Sequence, residues 1–392
     1  MVKRLRLVNG PWGVVPRVSG IGPRYARAVP VVELALYALV LAVAAVPVWR
    51  RPTVALYLFV VGLALHNGVM AALYAAGVRG SVLTAITAWK EILLVVALAR
   101  VGRDAVRARR LPFRFGVVDG LAAAFGVLCL VYAAIPQSVL GGAAGHKAVA
   151  LGLRHDLAPV AVYFLGRSLL LTRDDLRRIG WTILGTAAFV ATLGLVDVYA
   201  VPIGWWRGNG VIDYFHRQLG YDYHGTGRRL EPTGVYGLPE NFIYNVGGDK
   251  PFLRRLVSTF LSPLASSYLM TVALVGSAAV LRRRRPVALV LLALAAAGLL
   301  WTFSRSALLA VAVGLVVLAA VRRRPVWAAA AAAVVVAAVG WAHVFPSLAP
   351  TGSWTKVDLR YQAQLASAAS RARPQAIQSS EPSAPSSTPS SV

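Results

Sequence analysis

The sequence predicts an all-α integral membrane protein of about ten transmembrane helices, with one long extracytoplasmic loop and a disordered C-terminal tail. Three observations carry that prediction. Apolar residues make up 57% of the 392 residues and the mean hydropathy is +0.63, too apolar for a water-soluble globular chain. The apolar residues gather into runs close to the ~20 residues that a helix needs to cross roughly 30 Å of hydrocarbon. The charged residues, 14% of the total, fall mainly in short basic clusters between those runs, the pattern of loops that hold orientation in a membrane.

The formal charge of +26 is therefore distributed over loops. No polar stretch is long enough to fold as a basic soluble surface, so nucleic acid is not an expected partner. The single cysteine, Cys129, lies in an apolar run. It excludes an intrachain disulfide, a CxxC redox pair and a thiolate zinc site, and reads as a small buried hydrophobe. No cleavable signal peptide is expected, because the first apolar run starts near Val29 and another follows at once.

Residues 1–28 carry Lys3, Arg4, Arg6, Arg17, Arg24 and Arg27 among Gly and Pro, and read as a disordered basic tail. The membrane domain is expected over 29–344. Its spans are read at 30–49, 53–77, 82–100, 115–135, 156–172, 179–201, 256–281, 286–303, 306–321 and 325–344. An arginine-rich loop at 100–114 and a Gly-rich segment at 136–154 separate early spans. A polar, aromatic loop covers 202–255. Residues 345–392 end in QSSEPSAPSSTPSSV, a Ser/Pro-rich stretch that cannot bury a core.

Basic clusters at 50–51, 100–114, 173–178, 282–285 and 322–324 hold eighteen Lys and Arg and fall on one side if every span crosses once. By the positive-inside rule that side is the cytoplasm. The 202–255 loop, the SRS corner at 304–306 and the tail then face outward, in the cell (cytoplasmic) membrane. The same count puts the basic N-terminal tail outside, against the rule.

Several charges lie in or near spans: Glu33, Lys90, Glu91, Asp119, Asp156, Arg167 and Asp197. Each costs at least ~2.5–3.5 kcal/mol at the bilayer centre. Lys90 and Glu91 are adjacent and point about 100° apart on a helix, so each needs a partner on another span, with Asp119 and Arg167 as candidates. The structural reading is inter-helix ion pairing or snorkelling. The functional reading is that Lys90 and Arg167 line a hydrated cavity for a lipid headgroup.

The outer loop holds Trp205, Trp206, Tyr214, Phe215, Tyr221, Tyr223, Tyr236, Phe242 and Tyr244. These suit either an interfacial aromatic belt or a platform that stacks on sugar rings. His216, His224, Arg228, Arg229, Glu240 and Asp249 accompany them; an imidazole or carboxylate there is a candidate acceptor for the proton of an attacking hydroxyl. Arg254, Arg255 and Arg305 gather at one membrane–water boundary. Three guanidiniums there suit a diphosphate, which they would also stabilise as a leaving group. Signatures of soluble enzymes are missing: the sequence has no P-loop, GxSxG, HExxH or metal-ligand spacing. No cofactor and no metal are expected.

RRLVSTFLSPLASSYL at 254–269, followed one helix later by WTFSRSALLA at 301–310, resembles the O-antigen ligase and polymerase family of bacterial membrane glycosyltransferases. AWKEILLVVAL (88–98), LRHDLAPVAVYFLGRSL (153–169) and LPENFIYN (238–245) look like the actinobacterial-type branch of that family. The resemblance implies an all-helical membrane fold of ten to twelve spans. It also implies metal-independent transfer of a glycan from an undecaprenyl diphosphate carrier to a hydroxyl of a glycan, lipid or protein acceptor, in cell-surface polysaccharide assembly. Its diphosphate-contacting arginines map by motif onto Arg255 (or Arg254) and Arg305. Glu240, Asn241, His224, Trp205 and Trp206 then line the sugar side, with Lys90 and Arg167 as further substrate contacts. The family's later outer loop, with a histidine that activates the acceptor, has no counterpart: no His follows His343. Two alternatives are therefore carried, a transporter or flippase for a lipid-linked oligosaccharide and a truncated, non-catalytic family member.

Overall fold

A computed structural model describes residues 25–141, 145–202, 205–206, 209–220, 242–245, 252–280 and 286–350. The helices are α1 (Tyr25–Arg50), α2 (Thr53–Ala75), α3 (Gly80–Thr87), α4 (Trp89–Ala108), α5 (Val117–Ala134), α6 (His146–Ser168) and α7 (Arg173–Ala200). A short turn follows, α8 (Val211–Asp213), which runs on as a π turn, Tyr214–Gln218. After it come α9 (Pro263–Val280), α10 (Pro286–Thr302), α11 (Arg305–Arg322) and α12 (Pro325–Leu348). A two-stranded antiparallel ribbon, β1 (Ile243–Asn245) with β2 (Phe252–Arg254), pairs Tyr244 with Leu253. The fold is all-α. Among the described residues eight helical segments are long and apolar enough to cross a membrane, and there are two shorter apolar helices, Pro263–Ala278 and Pro286–Thr302.

α7 is the hub, packed against α2, α9 and α10. Its buried residues include Ala187, Ala188, Ala191 and Gly194, small side chains that let neighbouring helices come close where lipid supplies no hydrophobic drive. Gly298 of α10 shows how close: a Cβ there would sit 2.5 Å from the Ala191 Cβ and 2.8 Å from the Met270 Cε. α1, α4, α5 and α6 form a looser outer group, with only 6% of the α6 span buried.

Several expected boundaries move. The arginine-rich segment read as a loop from residue 100 is helical to Ala108, where Arg109 stops α4 in a left-handed conformation at φ 47°. Nine residues of the Gly-rich segment (136–154) form the start of α6, since the helix opens at His146 rather than 156. α7 starts at Arg173 rather than 179, because Thr172 and Asp175 close a reciprocal cap: Asp175 N–H donates to Thr172 Oγ1 at 3.1 Å, and Thr172 N–H to Asp175 Oδ2 at 3.0 Å. The span read at 256–281 begins only at Pro263. Before it, Ser258 and Leu261 adopt positive φ (50° and 55°), which a right-handed α-helix does not accommodate.

The expected partners of the α4 charges are also corrected. Asp119 and Arg167 pair with each other. Arg167 Nε donates to Asp119 Oδ1 at 2.8 Å, Tyr163 Oη–H donates to the same oxygen at 2.7 Å, and Arg167 Nη2 donates to the Arg114 carbonyl at 3.0 Å. Glu91 pairs instead with Arg154 of α6 at 2.8 Å. Helix order decides this: α5 and α6 are antiparallel neighbours that bring residues 119 and 167 to one end, while Glu91 meets the middle of α6.

Candidate functional site

The site grows from a wedge outside the α-helices, residues 254–262, which leaves the end of β2, holds one 3-10 turn (Ser258–Phe260) and is inserted between α2 and α7. Arg254 is bonded to Asp197 of α7, and Ser258 to the carbonyl of Val190. Those two α7 positions are seven residues apart, about 10 Å of helix rise, so the chain descends along α7 over four residues. Irregular backbone among apolar helices must have its polar groups satisfied, and short polar side chains do this. Ser258 Oγ–H donates to Val190 O and Ser266 Oγ–H to Val257 O, both at 2.7 Å; Thr259 Oγ1–H donates to Ala64 O at 2.7 Å; Asn67 Nδ2–H donates to Phe260 O at 2.8 Å. Gly194 makes the room. A Cβ there would lie 2.4 Å from Leu256 Cγ.

The wedge sends its two leading arginines in different directions. Arg254, at 9% side-chain exposure, donates through Nη2 to Asp197 Oδ1 at 2.9 Å, and through Nη1 to the Val201 carbonyl. Burial pulls the Arg254 guanidinium below its usual pKa, with the Asp197 carboxylate opposing the shift. Arg255, half-buried, donates through Nε to the Thr302 carbonyl at 2.7 Å and through Nη2 to the Phe303 carbonyl at 3.4 Å. It thus braces the corner from which Arg305 opens α11. Phe303 sits in that corner at φ 49° and stacks on Phe345 of α12, with ring centroids 4.4 Å apart.

Arg305 is exposed at this corner and lines a cleft of about 290 Å³ between α11 and α12. Phe303, Leu308, Leu309, Val339 and Trp341 are among the other lining residues, and Arg305 is the one charged member. The Trp341 indole N–H donates to the Leu300 carbonyl at 2.8 Å and its ring packs on Trp301 at 4.6 Å, so the α12 wall is tied to the end of α10. The arrangement is amphiphilic: a cation at the mouth of an apolar slot. The three arginines do not line one pocket. Arg305 faces the cleft, Arg255 supports its corner and Arg254 is committed to α7.

Trp206 also belongs to the Asp197 group, its indole N–H donating to Asp197 Oδ1 at 2.7 Å. Trp205 and Trp206 make a T-shaped contact at 4.9 Å, and Trp205 is 54% exposed, so it stays accessible beside the Arg254 end of the wedge. Tyr214 is buried against Tyr74 at 5.8 Å, and burial pushes its phenol up to about 12. Gln218 ties the loop to α3 through the Gly80 N–H and carbonyl, at 2.9 and 3.0 Å. His224, Arg228, Arg229, Glu240, Asn241 and Asp249 lie outside the described residues.

Lys90 and Arg167 lie on other helices. Lys90 is half-buried on α4, within Coulombic reach of Glu91, Arg154 and His66. Arg167 is held by Asp119 at the end of the bundle where α7 begins, a 28-residue helix away from Arg254. The residues missing from the sequence reading are Asp197 as the partner of Arg254, Phe303 and Trp341 as aromatic members of the cleft wall, and Phe345 stacked on Phe303. Asp197 carried a signal, a carboxylate in an apolar run; the aromatics carried none that separates them from an interfacial belt. Among the described residues no three His, Cys, Asp or Glu side chains converge as metal ligands. No family model, curated protein or solved structure matches this chain.

Proposed function

We propose that the protein is a membrane glycosyltransferase of the O-antigen ligase/polymerase type, which moves a glycan from a polyprenyl diphosphate carrier to an acceptor hydroxyl at the extracytoplasmic face of the cytoplasmic membrane. The observation that carries this reading is Arg305 at the mouth of the apolar cleft between α11 and α12. A phosphorylated polyprenyl lipid has the matching polarity, an anionic head for the guanidinium and an apolar chain for the slot. Arg255 adds a second cationic group behind the same corner. Arg254, spent on Asp197, acts as a positioning residue that fixes where the wedge starts.

In this reading the acceptor oxygen attacks the anomeric carbon, and the bond from that carbon to the diphosphate oxygen breaks. The diphosphate leaves with the bonding electrons, and guanidinium charge stabilises it as that charge develops. The acceptor proton passes to a base of the outer loop, while Trp205 offers its exposed ring to a sugar. The test is complementation of a deletion strain. Wild type restores the surface glycan. Arg305→Ala is expected to fail, with lipid-linked glycan accumulating on the outer face. Normal surface glycan from Arg305→Ala would overturn the proposal.

A transporter or flippase for the same class of lipid is a second reading, favoured by the mid-span group of Glu91, Arg154, Lys90 and His66. Intramembrane charges of this kind mark substrate paths in transporters. The same deletion strain separates the two, because loss of a flippase traps the lipid-linked glycan on the inner face.

A further inference from the structure

The outer face of α6 bears a polar pair where lipid should be. His155 and Asp156 are adjacent in the Ala148–Ser168 span, and their side chains are 90% and 56% exposed. His155 lies nine residues after His146 and thirteen before Ser168, about 14 and 20 Å from the two helix ends. Their mutual contact is 3.5 Å, at the outer limit of a hydrogen bond. Pro159, one turn on, lacks the N–H that would normally reach the His155 carbonyl. Two ionisable side chains and a weakened backbone turn therefore meet at mid-span on one exposed face, where hydrocarbon penalises all three.

The rest of that face is built for close approach. Ala148, Gly152, His155, Pro159, Val162 and Gly166 are all exposed and follow alternating steps of four and three residues, the spacing of a helix–helix seam. Added Cβ atoms at Gly152 and Gly166 would meet nothing within 4 Å, whereas one added at Gly126 of neighbouring α5 would lie 3.4 Å from Val160 Cγ1 of α6. The inward side of α6 is thus occupied and this side is open. Small residues on an open face are what two spans need to pack closely in lipid.

We propose that this face of α6 is the dimerisation surface of the protein and that its occupant is α6 of a second copy. Charge complementarity selects that occupant: the face carries a carboxylate and an imidazole side by side, so it complements itself across a two-fold axis along the membrane normal. In a parallel pair, a side chain at position 155 packs into the hole between positions 152, 155, 156 and 159 of the facing helix. The imidazole of each copy then meets the partner's Asp156 at equal depth. The inference is independent of the glycosyltransferase reading, since it uses none of the cleft residues.

The test uses the full chain with Cys129→Ser, reconstituted at low density in vesicles of phosphatidylethanolamine and phosphatidylglycerol. Oxidation is expected to link Gly152→Cys, and separately Gly166→Cys, into dimers, while Val118→Cys on exposed α5 stays monomeric. Adding His155→Asp, which places like charges at the seam, should lower linkage at 166 about tenfold. The exchanged variant His155→Asp/Asp156→His should restore it. Gly152→Leu, whose side chain enters space that is open in the monomer, should also abolish linkage at 166 while leaving the thermal unfolding of the monomer unchanged. The proposal is overturned by absent linkage at 152 and 166, by equal linkage at 118, by unchanged linkage with His155→Asp and Gly152→Leu, or by linkage in native membranes to a different protein in place of a second copy.

Discussion

Arg254 and Asp197 form an ion pair at 2.9 Å with both side chains about nine-tenths buried, and this contact sets the depth at which the wedge enters the bundle. The next residue, Arg255, turns to the opposite side and holds the carbonyls at which α10 ends. Two consecutive arginines thus lock two different helices to one irregular segment.

Removing one member of the buried pair should be more harmful than removing both. Arg254→Ala leaves the Asp197 carboxylate buried and is expected to cost about 3–5 kcal/mol, whereas Arg254→Leu/Asp197→Leu should cost less. Asp197→Asn keeps an oxygen for Arg254 and Trp206 but strands the guanidinium charge, and should fall between them. Thermal unfolding followed by tryptophan fluorescence measures the order; equal losses for the single and double variants would contradict a structural role for the pair.

The wedge depends on Gly194. Gly194→Ala puts a Cβ 2.4 Å from Leu256 Cγ, an overpacking expected to cost about 1–3 kcal/mol. Leu256→Ala alone should cost about 2–5 kcal/mol, since it empties a fully buried site. Together the two should cost less than their sum, and a double-mutant cycle reads the coupling.

Asp119 anchors α6 to α5 at the end of the bundle opposite the cleft. Asp119→Ala strands Arg167 and Tyr163 and should destabilise the chain by about 1–3 kcal/mol, the range for removing a partner of buried hydrogen bonds. Arg167→Ala should lower stability while sparing complementation at permissive temperature. Loss of complementation by a stably inserted Arg167→Ala would return Arg167 to the proposed substrate site.

Arg305 and Arg255 should separate by assay. Arg305→Lys keeps a charge at the cleft mouth and should retain part of the activity, with Arg305→Ala retaining none. Arg255→Lys loses the planar fork that reaches two carbonyls, so it should lower both stability and activity. Complementation paired with thermal unfolding reports the two effects. Arg255→Lys that matches wild type in both measurements would rule out its bracing role.

Hydropathy made the membrane class and most helices legible, because a span needs only length and apolarity, properties local to its own residues. It misplaced the start of α9, since the run 256–281 holds no charged residue to mark a boundary; two positive-φ residues and Pro263 decide that boundary, and φ is not written in composition. Asp197 was readable as a charge needing a partner, yet naming Arg254 required knowing that the chain returns along α7 after more than fifty residues.

By itself the sequence determined that this chain is a helical membrane protein, where its arginines cluster, and which charges are too costly to stand alone in lipid. Only the tertiary structure decided that Arg254 neutralises Asp197, that Arg305 opens onto an apolar cleft formed with α12, and that Asp119 belongs to Arg167. The reason is physical. Apolarity and helix length are summed along the chain, whereas the partner of a buried charge depends on which helices lie side by side and at what depth they meet.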